Sequence, residues 1–101
     1  MEMFELKYFH AVAQTQNIQK ASELLHVSSS ALSKAISRLE DELRVDLFHK
    51  EGRNIRLSPE GEVLLQRASE FLALEKATKL SVARDRAQVE FKLAGPEIML
   101  A

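Results

Sequence analysis

From Pro59 to Val89 nothing in the sequence would stop a helix. Pro59 stands where one would begin, Gly61 follows, and no further proline or glycine occurs before Gly95-Pro96. A helix over that span is roughly 45 Å long at 1.5 Å per residue. The chain has 101 residues, enough for one small domain and an extra element. So long a rod cannot be wrapped inside so small a globule, and part of it must protrude. "LSPEGEVLL" supplies the start: Ser58 as N-cap, Pro59 at the first helical position, Glu60 in the first turn. The apolar residues from Val63 to Val82 offer more surface than one domain can cover. Glu75, Lys76 and Lys79 interrupt the heptads, which predicts a helix paired with a partner and not a regular coiled coil. The dimerising residues are expected to be Leu64, Ala68, Phe71, Leu72, Leu74, Ala77 and Leu80, with Val63 and Leu64 also reaching the domain's own core.

Upstream lie shorter elements. Leu6, Phe9 and Ala13, thickened by Phe4, Tyr8, Ala11 and Val12, form a broad apolar stripe from Phe4 to Gln14. "QTQN" breaks it, and Asn17 is a good N-cap for a second helix, "IQKASELL", with Ile18, Ala21, Leu24 and Leu25 pointing inward. Val27 plugs the next turn. Ser28 then caps a third helix through about Leu43, with Ala31, Leu32, Ala35, Ile36, Leu39 and Leu43 on its buried side. Val45 and Leu47, then Ile55 and Leu57, alternate around "KEGRN", the pattern of a two-stranded ribbon with a short tip. Beyond the long helix, Phe91 and Leu93 alternate like a strand before the break at Gly95-Pro96. The expected organisation is a body over residues 1–58, a long helix over 59–89, and over 90–101 a hinge with the first strand of a further domain.

The bulk numbers exclude several classes. No run of about 18 apolar residues exists to span a membrane, and "MEMFELKYFH" does not read as a signal peptide. With no cysteine there is neither a disulfide frame nor a thiolate metal site, and a cytoplasmic setting is expected. His10, His26 and His49 have no ligand spacing, so no metal or other cofactor is expected. A net charge of −1 gives no overall pull toward nucleic acid. The charges are nevertheless uneven. No acid lies between Leu24 and Leu39, whereas Lys34 and Arg38 do, and Lys50, Arg53 and Arg56 face only Glu51 near the ribbon tip.

Helix, short helix, tight turn, third helix and ribbon, in that order, make a mainly α winged helix-turn-helix, followed by a long dimerisation helix. The physics suits DNA. A helix fits the major groove, and only its N-terminal part and one face reach base edges. Residues there must be small or polar, as Ser28, Ser29, Ser30, Ser33 and Ser37 are. The helix N-terminus favours phosphate through its free N–H groups and its dipole. Lys34 and Arg38, one turn apart, reach a base edge or phosphate, and Arg53 suits a narrow minor groove. Lys50 and Arg56 are candidates on the ribbon, while Lys7 and Lys20 read as ordinary surface charges.

"LKYFHAVAQTQNIQKASELLHVSSSALSKAISRLEDEL" followed by "VDLFHKEGRNIRLSPEGEVLL" resembles the amino-terminal domain of LysR-type transcriptional regulators. The likeness covers about Phe4 to Ala73 and holds together over the helix-turn-helix, the "LF" strand, the "GR" wing tip and the "L-S-P-E-G" helix start. It implies promoter binding at an interrupted palindrome by a homodimer, with a tetramer possible for the full-length protein. It also implies a carboxy-terminal domain that senses a small effector, whose first strand "VEFKLAG" resembles. The family's base-reading positions fall on Ser29, Ser30, Ser33 and Lys34, and its wing arginine on Arg53. Two departures stand out. Where the family usually has glutamine then proline, this chain has Ser29 and Ser30, and serine reads base edges less selectively than a bidentate amide. Where the family usually ends the third helix with glycine, this chain has Arg44. A left-handed cap would be strained there. Arg44 either caps the helix through its charge or adds a phosphate contact.

The alternative is a winged helix that binds a protein and not DNA, and charge reversal of Lys34 and Arg38 would then leave function intact. An enzyme is a distant third: there is no Ser–His–acid spacing, no acid pair isolated in an apolar stretch and no phosphate-cradling glycine loop. A metal-sensing repressor lacks its cysteines and clustered histidines.

Overall fold

The computed structural model describes the backbone of residues 1–93 and the side chains of residues 1–86. The elements follow in the order α1 (Met3–Thr15), α2 (Ile18–Leu25), α3 (Ser29–Leu43), β1 (Phe48–Glu51), β2 (Asn54–Leu57) and α4 (Pro59–Leu93). The strands pair antiparallel, Phe48 opposite Leu57 and Glu51 opposite Asn54, with Gly52 at φ 62° in the turn between them.

Side-chain caps start three of the helices. The Asn17 Oδ1 accepts the Lys20 N–H at 2.9 Å, and the Ser28 Oγ accepts that of Ala31 at 3.1 Å. Ser58, fully buried, accepts the Gly61 N–H at 2.9 Å and donates its own hydrogen to the Asp46 carbonyl. One side chain thus ends the wing and begins α4. α1 opens differently, with Glu2 and Glu5 in a reciprocal capping box.

Two clusters share the core. Leu6, Phe9, Ala13, Leu39, Leu47, Leu64 and Ala68 join α1 and α3 to the start of α4. Val12, Ala21, Leu32 and Ile36 join α1, α2 and α3. Phe48 touches both clusters and lies 5.4 Å from Phe9, ring centre to ring centre. The wing is therefore anchored in the core at its root. Lys7 adds an ion pair with Glu75 at 3.3 Å, tying α1 to α4. From Lys76 to Arg86 every side chain of α4 is exposed. The molecule measures 68 × 25 × 19 Å, its long axis set by this protruding rod.

Several expectations are corrected. Leu24, expected inward, is 67% exposed, because α2 has only two turns and Ala21 and Ser22 already fill its contact face. Leu43 and Phe4 lie at the ends of their stripes and are exposed. The ribbon starts at Phe48, not Val45, since backbone and side-chain bonds hold the preceding residues. Glu40 accepts the Leu47 N–H at 2.8 Å, and Leu47 O accepts the Ser58 N–H at 2.9 Å. The strand expected at Phe91 and Leu93 is also overturned, as α4 continues through Leu93. No glycine or proline intervenes to end the helix there, and two alternating residues are too few to outweigh its continuation. The remainder of the expected hinge and strand, Ala94 onward, lies outside the described residues.

Candidate nucleic-acid interface

The solvent side of α3 carries Ser30, Ser33, Lys34, Ser37 and Arg38, all exposed, with Ser29 half-buried at the helix start. Opposite them Leu32, Ala35, Ile36 and Leu39 are buried. The 3.6-residue period thus fixes which face is wet. Ser28 spends its hydroxyl on the cap, 3.2 Å from the Ser30 hydroxyl. Ser29 donates to the Gln19 Oε1 across the turn, at 3.4 Å. Lys34 and Arg38 have no ion-pair partner among the described residues.

The wing's three basic residues stand in different places. Arg53 sits in the tip turn, exposed and without an ion pair among the described residues. Lys50 lies opposite Ile55 in the ladder, on the side of the ribbon that faces α3. It lines an open groove with Ile18, Ser33, Ile36, Ser37, Glu40, Phe48, His49 and Ile55. Arg56 lies opposite His49 on the outer side and pairs with Glu51 at 3.5 Å. Lys50 therefore stands beside the α3 face, Arg56 is turned from it, and Arg53 is carried on the tip between the strands. The ribbon is held to the helix-turn-helix by two bonds. The Ile55 N–H donates to the Gln16 carbonyl at 3.4 Å, and the Asn17 Nδ2 donates to the Asn54 Oδ1 at 3.3 Å.

Sequence reasoning missed Gln19, Asn17 in its link to the wing, and Asn54. Gln19 occupies the first turn of α2, which the turn brings against the start of α3. Only that three-dimensional crossing, and no spacing along the chain, gives the signal.

The expected dimer residues divide. Leu64 and Ala68 are buried in the protomer's own core against α1, so they are not on a free face. Leu72 is half-buried. Val63, expected in the core, is 63% exposed instead. Phe71 and Leu74 are exposed and line a shallow groove with Arg67 and Glu70. Ala77 and Leu80 are exposed further along.

Among the described residues no helix is long and apolar enough to cross a membrane, and no group of three histidine, cysteine or acidic side chains could hold a metal ion.

Three helices around a tight turn, a wing rooted in their core and a polar, cationic α3 face define a winged helix-turn-helix protein. The model of the bacterial regulatory helix-turn-helix proteins of the lysR family matches residues 3–62, and the chain belongs to that family. It is 41% identical over 93 residues to the HTH-type transcriptional regulator PcaQ of Agrobacterium fabrum, covering 92% of this chain and 28% of PcaQ. Over 65 residues it is 48% identical to the transcriptional dual regulator GltC of Bacillus subtilis, covering 64% of this chain and 22% of GltC. The chain thus spans under a third of the length of these relatives. Among solved structures, the BenM_DBD/benA site 1 DNA complex superposes with a TM-score of 0.79 at 32% identity, covering 83% of this chain and 98% of that one. The CbnR_DBD–DNA complex gives 0.76 at 36% identity, covering 88% and 99%.

Proposed function

We propose that this chain is the DNA-binding part of a LysR-type transcriptional regulator, acting in the cytoplasm without chemistry of its own. Two copies joined through α4 would each lay α3 in a major groove and the wing on the flanking minor groove. The site would be an interrupted palindrome in promoter DNA, with half-sites about 10 bp apart or more. The observation that carries this is the α3 face: Lys34 and Arg38 stand exposed, without an ion pair among the described residues, above a start made of serines, with Lys50 beside them and Arg53 on the wing tip. Cations that serve only solubility are commonly interleaved with acids, and α3 carries no acid before Glu40. The DNA complexes of BenM and CbnR support the reading. The length of the relatives supports a further part of the protein, through which a small effector would act.

The test is selection from random duplex DNA by the 101-residue chain at two salt concentrations. An inverted repeat should emerge. With about six phosphates neutralised, log affinity should fall with log salt at a slope near −5. Charge reversal, Lys34→Glu with Arg38→Glu, should abolish binding. No enrichment, and binding indifferent to salt and to charge reversal, would favour a protein-binding winged helix.

A further inference from the structure

We infer that Gln19, on α2 and outside the recognition helix, is a positioning residue that determines base selectivity at Ser29. The inference rests on the DNA-binding reading above. A free serine hydroxyl both donates and accepts, so it can meet any base edge in the major groove. The three serines at the start of α3 differ in this respect. Ser28 and Ser30 lie 3.2 Å apart, and either hydroxyl can donate to the other, so their polarity toward a ligand is not fixed. Ser29 is different. Its hydrogen is directed to the Gln19 Oε1 at 3.4 Å. What remains for an outside partner is the oxygen's lone pairs alone.

An acceptor-only serine is selective. In the major groove adenine and cytosine offer amino donors, while guanine and thymine offer oxygen acceptors at the matching edge. Ser29 held by Gln19 would accept from adenine N6 or cytosine N4. Guanine or thymine would leave two acceptors facing each other. Serine at this position would thereby recover part of the selectivity that a bidentate amide supplies. The Gln19 Nε2 has no partner among the described residues.

The experiment selects duplex DNA with the 101-residue chain and with its Ser29→Ala, Gln19→Ala and Gln19→Glu variants. Ser29→Ala identifies the base position that Ser29 reads. In the unaltered chain that position should be adenine or cytosine, preferred about five- to tenfold over guanine or thymine, the worth of one hydrogen bond. Gln19→Ala should erase the preference at that position and leave the rest of the site intact. Alanine is a good helix former at an exposed position, so the fold should survive. Gln19→Glu keeps the acceptor and should keep the preference, while its negative charge lowers affinity for every sequence. Guanine or thymine at the Ser29 position would overturn the inference and leave DNA binding standing. So would an even loss on all sequences in Gln19→Ala, or a Ser29→Ala site identical to the original. A chain that selects no site at all overturns the DNA-binding reading itself, and this inference with it.

Discussion

Arg44 ends α3 at φ 58° and ψ 42°, a left-handed cap that lends its N–H to the Glu40 carbonyl. Gln16 and His26 close α1 and α2 in the same region. Each side chain there crowds its own carbonyl, at about 1–2 kcal/mol per residue, and glycine avoids the crowding. Glycine also leaves the unfolded chain freer, which offsets part of the gain. Arg44→Gly should therefore stabilise the protein by about 0.5–1 kcal/mol and raise Tm by a few degrees, measured by thermal unfolding. Arg44 edges an open polar hollow with Ser37, Glu40 and Asp41 and forms no ion pair among the described residues. If it touches phosphate when DNA is bound, the same variant binds more weakly at low salt while melting higher. Gly61 behaves in the opposite way. A Cβ there would meet the Leu47 carbonyl oxygen and lie 2.8 Å from Leu57 Cδ2. Backbone cannot yield as a side-chain tip can, so Gly61→Ala should destabilise by about 2 kcal/mol, visible as a lower urea midpoint.

The wing and α3 work as one element because the wing is tied at both ends. Phe48 holds its root in the core, and the Gln16 carbonyl and Asn17 side chain hold β2 near its tip. Arg53 is thus carried on a tip with a fixed direction. Arg53→Ala should weaken binding most on duplexes with A·T-rich flanks, where a narrow minor groove concentrates negative potential. An equal loss on every flank, measured by titration of a flank series, would assign it to phosphate alone. At this scale the sequence was informative where a side chain acts on its own neighbours. Asn17, Ser28 and Ser58 cap within three residues, and the apolar periods of α1 and α3 located the core faces of Leu6, Phe9, Leu32 and Leu39. It was silent where partners are distant in sequence. Which face of the ribbon Lys50 takes depends on strand register, and the Gln19–Ser29 contact depends on how α2 crosses α3. The same limit misled the reading of Leu24 and Val63. Both lie on helices whose contact faces are set by the partner helix, not by local hydropathy.

Across the whole molecule, the long helix divides into two stretches of different surroundings. Its first turns belong to the protomer, since Leu64 and Ala68 are buried against α1. Beyond them Phe71, Leu74, Leu80 and Val82 are exposed, more apolar surface than a free rod should carry. These side chains do not share one face. At about 100° per residue, Leu80 lies roughly 120° round the helix from Leu74, while Phe71 and Leu74 are neighbours. Leu80 is also about 180° from Phe71, so a second copy seated on the Phe71–Leu74 groove would leave Leu80 on the far side of the helix. In a two-fold interface each residue acts twice. Burying one leucine contributes about 2 kcal/mol, so Leu74→Glu should cost the dimer about 4 kcal/mol or more, roughly a thousandfold in its dissociation constant. Leu80→Glu should cost much less. Sedimentation equilibrium of the two variants measures both. The consequence for DNA follows from the same geometry. A Leu74→Glu monomer keeps its own α3 and wing, so it should bind a duplex carrying one half-site as well as the unaltered chain does. On two half-sites in register it should lose the gain that linkage of the copies provides. A Leu74→Glu chain that remains dimeric, with Leu80→Glu monomeric, would move the interface to the other side of α4.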